Sequence, residues 1–172
     1  PGGDGIASEL ITNEVIRAKK KKPVIVSMGD MAASAGYEMS SNASYIVASR
    51  TTLTGSIGVF GVMPNFGRAL KQKLGITFDT IKTHKNSNPL SVTVPMTSDA
   101  MMMMQRNVEL FYSRFVNRVA TGRGKTPAYI NTIARGRVWT GLDAKGLGLI
   151  DEFGGLERAI QVAAQKANLQ SY

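Results

Sequence analysis

Two short runs, Val24-Ile25-Val26 and Tyr45-Ile46-Val47-Ala48, are continuously apolar and rich in β-branched residues. Such runs have no polar face, so they suit strands buried on both sides. Between them, Ala33 to about Asn42 is dense in small residues and reads as a helix. Strands that alternate with helices argue for an α/β fold with parallel strands. The chain is long enough for it: 172 residues make one ordinary domain, and surface scaling predicts that about 70% of the unfolded surface becomes buried. With 43% hydrophobic and 19% charged residues, the sequence is that of a globular protein.

The remaining elements follow from periodicity and punctuation. Gly5 to about Lys20 reads as a helix with Ile6, Leu10, Ile11, Val15 and Ala18 on its apolar face, stopped by Pro23. Ser56 to Val62 is a third apolar segment, whose glycines permit close backbone packing. Pro64 to about Leu74 is a short helix closed by Gly75, and Ile76 to Lys82 is another strand. His84 to Pro95 is a loop. Thr97 to about Thr121 is a long helix with a stripe at Met101, Met104, Val108, Phe111, Phe115 and Val119. Thr126-Pro127 starts a helix to about Arg135, Val138-Trp139 is a strand, and Thr140 with Asp143 resembles a capping arrangement. Leu149-Ile150 is a last short strand and Leu156 to about Asn168 a last helix. No repeat and no linker divides the chain, which is expected to be a single domain over residues 1–172.

The chemistry concentrates in Met28-Gly29-Asp30-Met31-Ala32-Ala33-Ser34-Ala35-Gly36-Tyr37, which leaves a buried strand and enters a helix. A serine at a helix start faces free N–H groups and the positive end of the helix dipole, which stabilise negative charge. Ser34 therefore reads either as a capping serine or as a presented nucleophile. Tyr37 reads as a packing residue. No cysteine is present and histidine occurs once, which excludes thiolate chemistry and a histidine-rich metal site. No cofactor is implied.

Five motifs occur in one order: Pro1-Gly2-Gly3; Met31 to Tyr37; Thr54-Gly55-Ser56-Ile57-Gly58-Val59; Arg137-Val138-Trp139-Thr140-Gly141 with Asp143-Ala144; and Gly148-Leu149-Ile150-Asp151. That set resembles the carboxy-terminal half of the long-form signal peptide peptidase A family, and the resemblance runs over essentially the whole chain. It implies a Clp-protease/crotonase-like fold of repeated β-β-α units that assembles into a homo-oligomer. It implies a membrane-associated serine protease with a Ser/Lys dyad, acting on remnant signal peptides in the bacterial cell envelope. Ser34 would be the nucleophile, the N–H groups of Gly2 or Gly3 and of Ala35 the oxyanion hole, and Ser56 the partner of the catalytic lysine. Met28, Met31 and Met63 would line apolar pockets, or serve the core.

The base is the departure from the pattern. In the family's short form the lysine falls in a loop that here reads Ile81-Lys82-Thr83-His84-Lys85-Asn86-Ser87-Asn88, with Ser87 at the lysine position and Lys82 and Lys85 out of phase. In the long form it comes from the amino-terminal half. The chain also starts without a methionine or a signal peptide, so the expectation is a part of a longer protein whose other half supplies the lysine and the membrane attachment. A triad of Ser34, His84 and Asp79 can be drawn, but the polar loop suggests a surface histidine. The net charge of +9 raises a rival: a basic module that binds nucleic acid or an anionic membrane surface without catalysis. Its basic residues are Lys19 to Lys22, Lys71, Lys73, Lys82, Lys85, Arg114, Arg118, Arg123 and Lys125, and no aromatic cluster accompanies them as stacking would require.

Overall fold

The computed structural model describes residues 1–84 and 87–170. Thirteen elements are present among them: α1 Gly5–Lys19, β1 Ile25–Ser27, β2 Met31–Ala33, α2 Ala35–Ser41, β3 Tyr45–Ala48, β4 Leu53–Gly55, α3 Gly67–Leu74, α4 Ser98–Arg123, α5 Pro127–Ile133, β5 Val138–Thr140, α6 Gly141–Gly146, β6 Glu152–Phe153 and α7 Leu156–Lys166. This is a mixed α/β architecture. The residues form two compact units, 1–59 with 111–172, and 60–110.

The larger unit holds two three-stranded sheets, ordered β1-β3-β6 and β2-β4-β5. Each consecutive pair of strands is divided between them: β1 and β3 enter the first sheet, β2 and β4 the second, and α2 follows β2. That is the β-β-α unit the resemblance implies, and its strand pair repeats. All pairings are parallel except β4 with β5. The core lies around Tyr37, Ile46, Ile57, Val119, Ile130 and Leu149, all essentially inaccessible.

Local signals set most boundaries. Asp4 caps α1 by accepting from the Ile6 and Ala7 N–H groups, and Thr126 caps α5 ahead of Pro127. Thr140 Oγ1 accepts from Asp143 N, so that capping expectation holds. Gly75 ends α3 in the left-handed conformation. The helix predicted to about Thr121 runs on through Gly122 to Arg123. Gly122 lets α4 pass close to the Ser41 carbonyl at the end of α2, where a Cβ would collide.

Several expectations fail for identifiable reasons. The predicted apolar face of α1 divides: Val15 and Ala18 are half-buried, Val15 against the core, but Ile6, Leu10 and Ile11 are exposed, whereas Ser8 and Thr12 are buried. The two buried hydroxyls are satisfied, Thr12 by the Ser8 carbonyl and Ser8 by Glu38, so burying them costs little. Residues 76–82 form no strand and are exposed, because no strand of the 60–110 unit is present among the described residues to pair with them. Leu149 and Ile150 are buried but unpaired as strand. The Leu149 N–H closes α6 on the Ala144 carbonyl, and pairing with β3 starts only at Glu152. The stripe on α4 is buried at Phe115 and Val119 but exposed at Met101 and Phe111.

The Arg158 guanidinium ties α7 to β6 through Glu152, with Nε at 2.7 Å, and the Tyr45 hydroxyl donates to the same carboxylate. The hydrogen bond from Arg158 holds the Glu152 carboxyl below its ordinary value; desolvation opposes this and Tyr45 adds to it. Stability from this group is therefore full above the unfolded carboxylate value, about 4.3, and is lost as pH falls through the lower folded value. Arg158→Gln should flatten the acid limb of the thermal midpoint between about pH 5 and pH 3. Gly122→Ala should cost about 1–3 kcal/mol in a denaturant titration, whereas Leu10→Gln on the exposed face of α1 should stay within about 0.5 kcal/mol of the parent.

Candidate active site

The strand β2 turns into the helix α2 through a single residue, Ser34. Sequence reading starts that helix at Ala33 and misses β2; the structure gives Met31–Ala33 to the sheet and starts the helix at Ala35. The turn forces Ser34 to φ 56° and ψ −124°, a region that L-residues rarely occupy and that costs on the order of 1–3 kcal/mol. Backbone hydrogen bonds on both sides hold it there. Ser34 N–H donates to the Gly55 carbonyl at 2.9 Å, and the Ser34 carbonyl accepts from Glu38 N–H at 2.9 Å. The side chain does not cap the helix, and among the described residues no hydrogen bond to its hydroxyl is found. The capping reading of Ser34 therefore fails as to its side chain: the hydroxyl is half-buried and available.

Ser56 stands in a parallel position. Ala33 pairs with Gly55 across β2 and β4, so Ser34 and Ser56 leave adjacent strands side by side. Ser56 also has positive φ, 48°, and its N–H donates to the Arg137 carbonyl at 2.7 Å. The Arg137-Val138-Trp139 motif thus reaches the site through backbone.

The segment Pro1-Gly2-Gly3 runs beside this turn. A Cβ on Gly2 would stand 3.3 Å from Ser34 Cβ and 3.6 Å from its Oγ, and one on Gly3 3.8 Å from Ala35 Cβ. A Cβ on Gly36 would stand 2.8 Å from the Pro1 carbonyl oxygen. The small residues around Ser34 thus admit the chain's own first residues. Ala35 and Gly36 open α2, so their N–H groups have no partner within the helix. The structure thus brings Gly2, Gly3, Ser34, Ala35 and Ser56 together.

Other candidates are placed elsewhere. Tyr37 is fully buried and donates to the Leu149 carbonyl at 2.9 Å; burial pushes its phenol well above the ordinary value, so it packs. Met28 is buried in the core, whereas Met31 and Met63 are exposed. His84 is exposed, its Nδ1 3.3 Å from the Thr83 hydroxyl, and Lys82 and Ser87 are exposed in the same loop. Lys85 lies outside the described residues. In the larger unit, Lys19 donates to the Ala43 carbonyl and Lys145 to the Asp151 carbonyl, while Lys125 and Lys166 lie over Tyr129 and Tyr45. None of the four is hydrogen-bonded to Ser34 or Ser56. Two residues counted for the basic module are spent internally: Arg123 forks onto Asp151, and Arg118 bridges Glu9 and Glu38.

Sequence reasoning misses Glu38. A carboxylate one turn after Ser34, in a helix of small and apolar residues between two buried strands, was the available signal. Its side chain is only 10% exposed.

A family model described as peptidase family S49 matches residues 16–170. The chain is 44% identical over 173 residues to "Protease 4" of Salmonella typhi, covering 100% of this chain and 28% of that protein. It is 42% identical over 171 residues to "Serine protease SPPA, chloroplastic" of Arabidopsis thaliana, covering 98% and 25%. The chain thus spans about a quarter of the length of these relatives. A solved structure of an enoyl-CoA hydratase/isomerase family protein from Hyphomonas neptunium aligns with a TM-score of 0.44 at 20% identity, covering 94% of this chain and 42% of that one.

Ser34→Gly should relieve the strained turn and stabilise the protein by about 1 kcal/mol in thermal or denaturant unfolding, a gain that Ser34→Ala should not show.

Proposed function

The chain belongs to peptidase family S49, and on that premise we propose that it supplies the nucleophile and the oxyanion hole of a serine endopeptidase. The observation that carries this reading is the strained Ser34 turn with Gly2 packed against its hydroxyl. Ser34 Oγ attacks the scissile carbonyl. The N–H groups of Ala35 and of Gly2 or Gly3 receive the oxyanion, each worth about 3–4 kcal/mol in comparable sites. The proton of Ser34 passes to a lysine kept neutral by burial, which then protonates the leaving amine. Ser56 accepts a hydrogen bond from that lysine and orients it.

The lysine is supplied from outside residues 1–172, by the amino-terminal half of a longer protein. The engagement of Lys19, Lys125, Lys145 and Lys166 elsewhere supports this. Apolar peptides, signal-peptide remnants among them, are the substrate class, bound as an extended strand through main-chain hydrogen bonds. Exposed Ile6, Leu10 and Ile11 support assembly with the rest of the protein and with further copies. No helix among the described residues is long and apolar enough to cross a membrane. The similarity to a bacterial Protease 4 supports a cell-envelope setting with attachment through another part.

In the complete protein, Ser34→Ala should abolish hydrolysis of an apolar fluorogenic peptide. Ser56→Ala should lower kcat by about 10–100-fold through loss of lysine orientation. The isolated chain should be at least about 100-fold slower than the complete protein. Full activity in the isolated chain would overturn the split site, and salt-sensitive DNA binding without hydrolysis would favour the basic module.

A further inference from the structure

A buried polar chain joins the two helices that carry the halves of the site. Ser8 Oγ on α1 lies 2.6 Å from Glu38 Oε2 on α2. Arg118 on α4 donates through Nη1 to Glu38 Oε1 and through Nη2 to Glu9 Oε1, both at 2.8 Å. Ser8 is 2% exposed, and the side chains of Glu38 and Arg118 are 10% and 17% exposed. Burial works against the Arg118 charge, but its hydrogen bonds to the Glu9 and Glu38 carboxylates outweigh it and leave the guanidinium above its ordinary value.

The two helices are anchored in the same way. Asp4 caps α1, and its carbonyl accepts from Ser8 N–H; Ser34 precedes α2, and its carbonyl accepts from Glu38 N–H. In each helix the residue bonded to the first carbonyl is the one that reaches across. Gly2 and Gly3 immediately precede Asp4. The Ser8–Glu38 bond therefore sets the spacing of the two helix starts, one continuing back into Gly2 and Gly3 and the other into Ser34.

We propose that the Ser8–Glu38–Arg118–Glu9 chain is the positioning device that holds the Gly2-Gly3 segment beside the Ser34 turn. This rests on the reading of Ser34 as nucleophile and the glycines as oxyanion donors. Glu38 acts through the helices, not on substrate. Oxyanion donors contribute in the transition state, so loosening them lowers kcat and leaves KM in place.

The test uses the complete protein, a fluorogenic apolar peptide and a fluorophosphonate probe of serine nucleophiles. Ser8→Ala should lower kcat about tenfold with KM within about twofold, and slow phosphonylation of Ser34 by a similar factor. Glu38→Gln should keep kcat within about threefold of the parent. Its amide can donate to Ser8 Oγ and accept from Arg118, while the Ser8 hydroxyl turns to the Gly5 carbonyl, 3.0 Å away. A folded Ser8→Ala protein with parental kcat and labelling rate overturns the proposal. So does a loss of activity that merely tracks the unfolded fraction. Ser34→Ala is run in parallel: activity there overturns the nucleophile reading itself, whereas an inactive Ser34→Ala beside a fully active Ser8→Ala overturns only the positioning role.

Discussion

The passage from β2 into α2 through Ser34 alone is the constraint around which the larger unit is arranged. A one-residue reversal needs positive φ, and a serine accepts that strain only when its neighbours fix it from both sides. The Gly55 carbonyl does so from β4 and the Glu38 N–H from α2. Moving either would let the serine relax into an ordinary cap. Its hydroxyl would then turn to the helix N–H groups and leave the position where it faces Gly2.

Close backbone approach makes the arrangement possible. Pro1 crosses Gly36, Gly136 meets Gly58, Ser41 meets Gly122 and Ser49 meets Gly141, each at a distance that a Cβ would block. These approaches bring together three stretches distant in sequence: the first residues, the Ser34 turn and Arg137 with the strand β5 that follows it. Ser56 is reached by the last of them through the Arg137 carbonyl. The glycines thus shape the fold around Ser34 and Ser56 although they offer no side-chain chemistry.

The outer surface of α1 reverses the usual rule. Polar Ser8 faces inward onto the Glu38 carboxylate, buried Thr12 is satisfied by the Ser8 carbonyl of its own helix, and apolar Ile6 and Leu10 face outward. Helical periodicity finds the apolar stripe but cannot tell what will cover it. On the function proposed above, that surface is where the chain would meet the rest of a longer protein.

Some features were legible in the residues themselves, because their causes are local. The β-branched runs at Ile25 and Tyr45, the caps at Thr126 and Thr140 and the left-handed Gly75 depend on a few neighbours, and they fall where expected. The ordered motifs also named Gly2, Gly3, Ser34, Ala35 and Ser56, and these do lie together. Other features depended on partners remote in sequence. β2 exists because β4 lies beside it, whereas residues 76–82 have the composition of a strand and, among the described residues of 60–110, no strand to join. Glu38 is buried because Ser8, thirty residues earlier, and Arg118, eighty residues later, converge on it. Sequence determined which residues could carry charge, strain or a close approach. Tertiary structure decided which did, because hydrogen bonds and desolvation are settled by what the rest of the chain brings within about 3 Å.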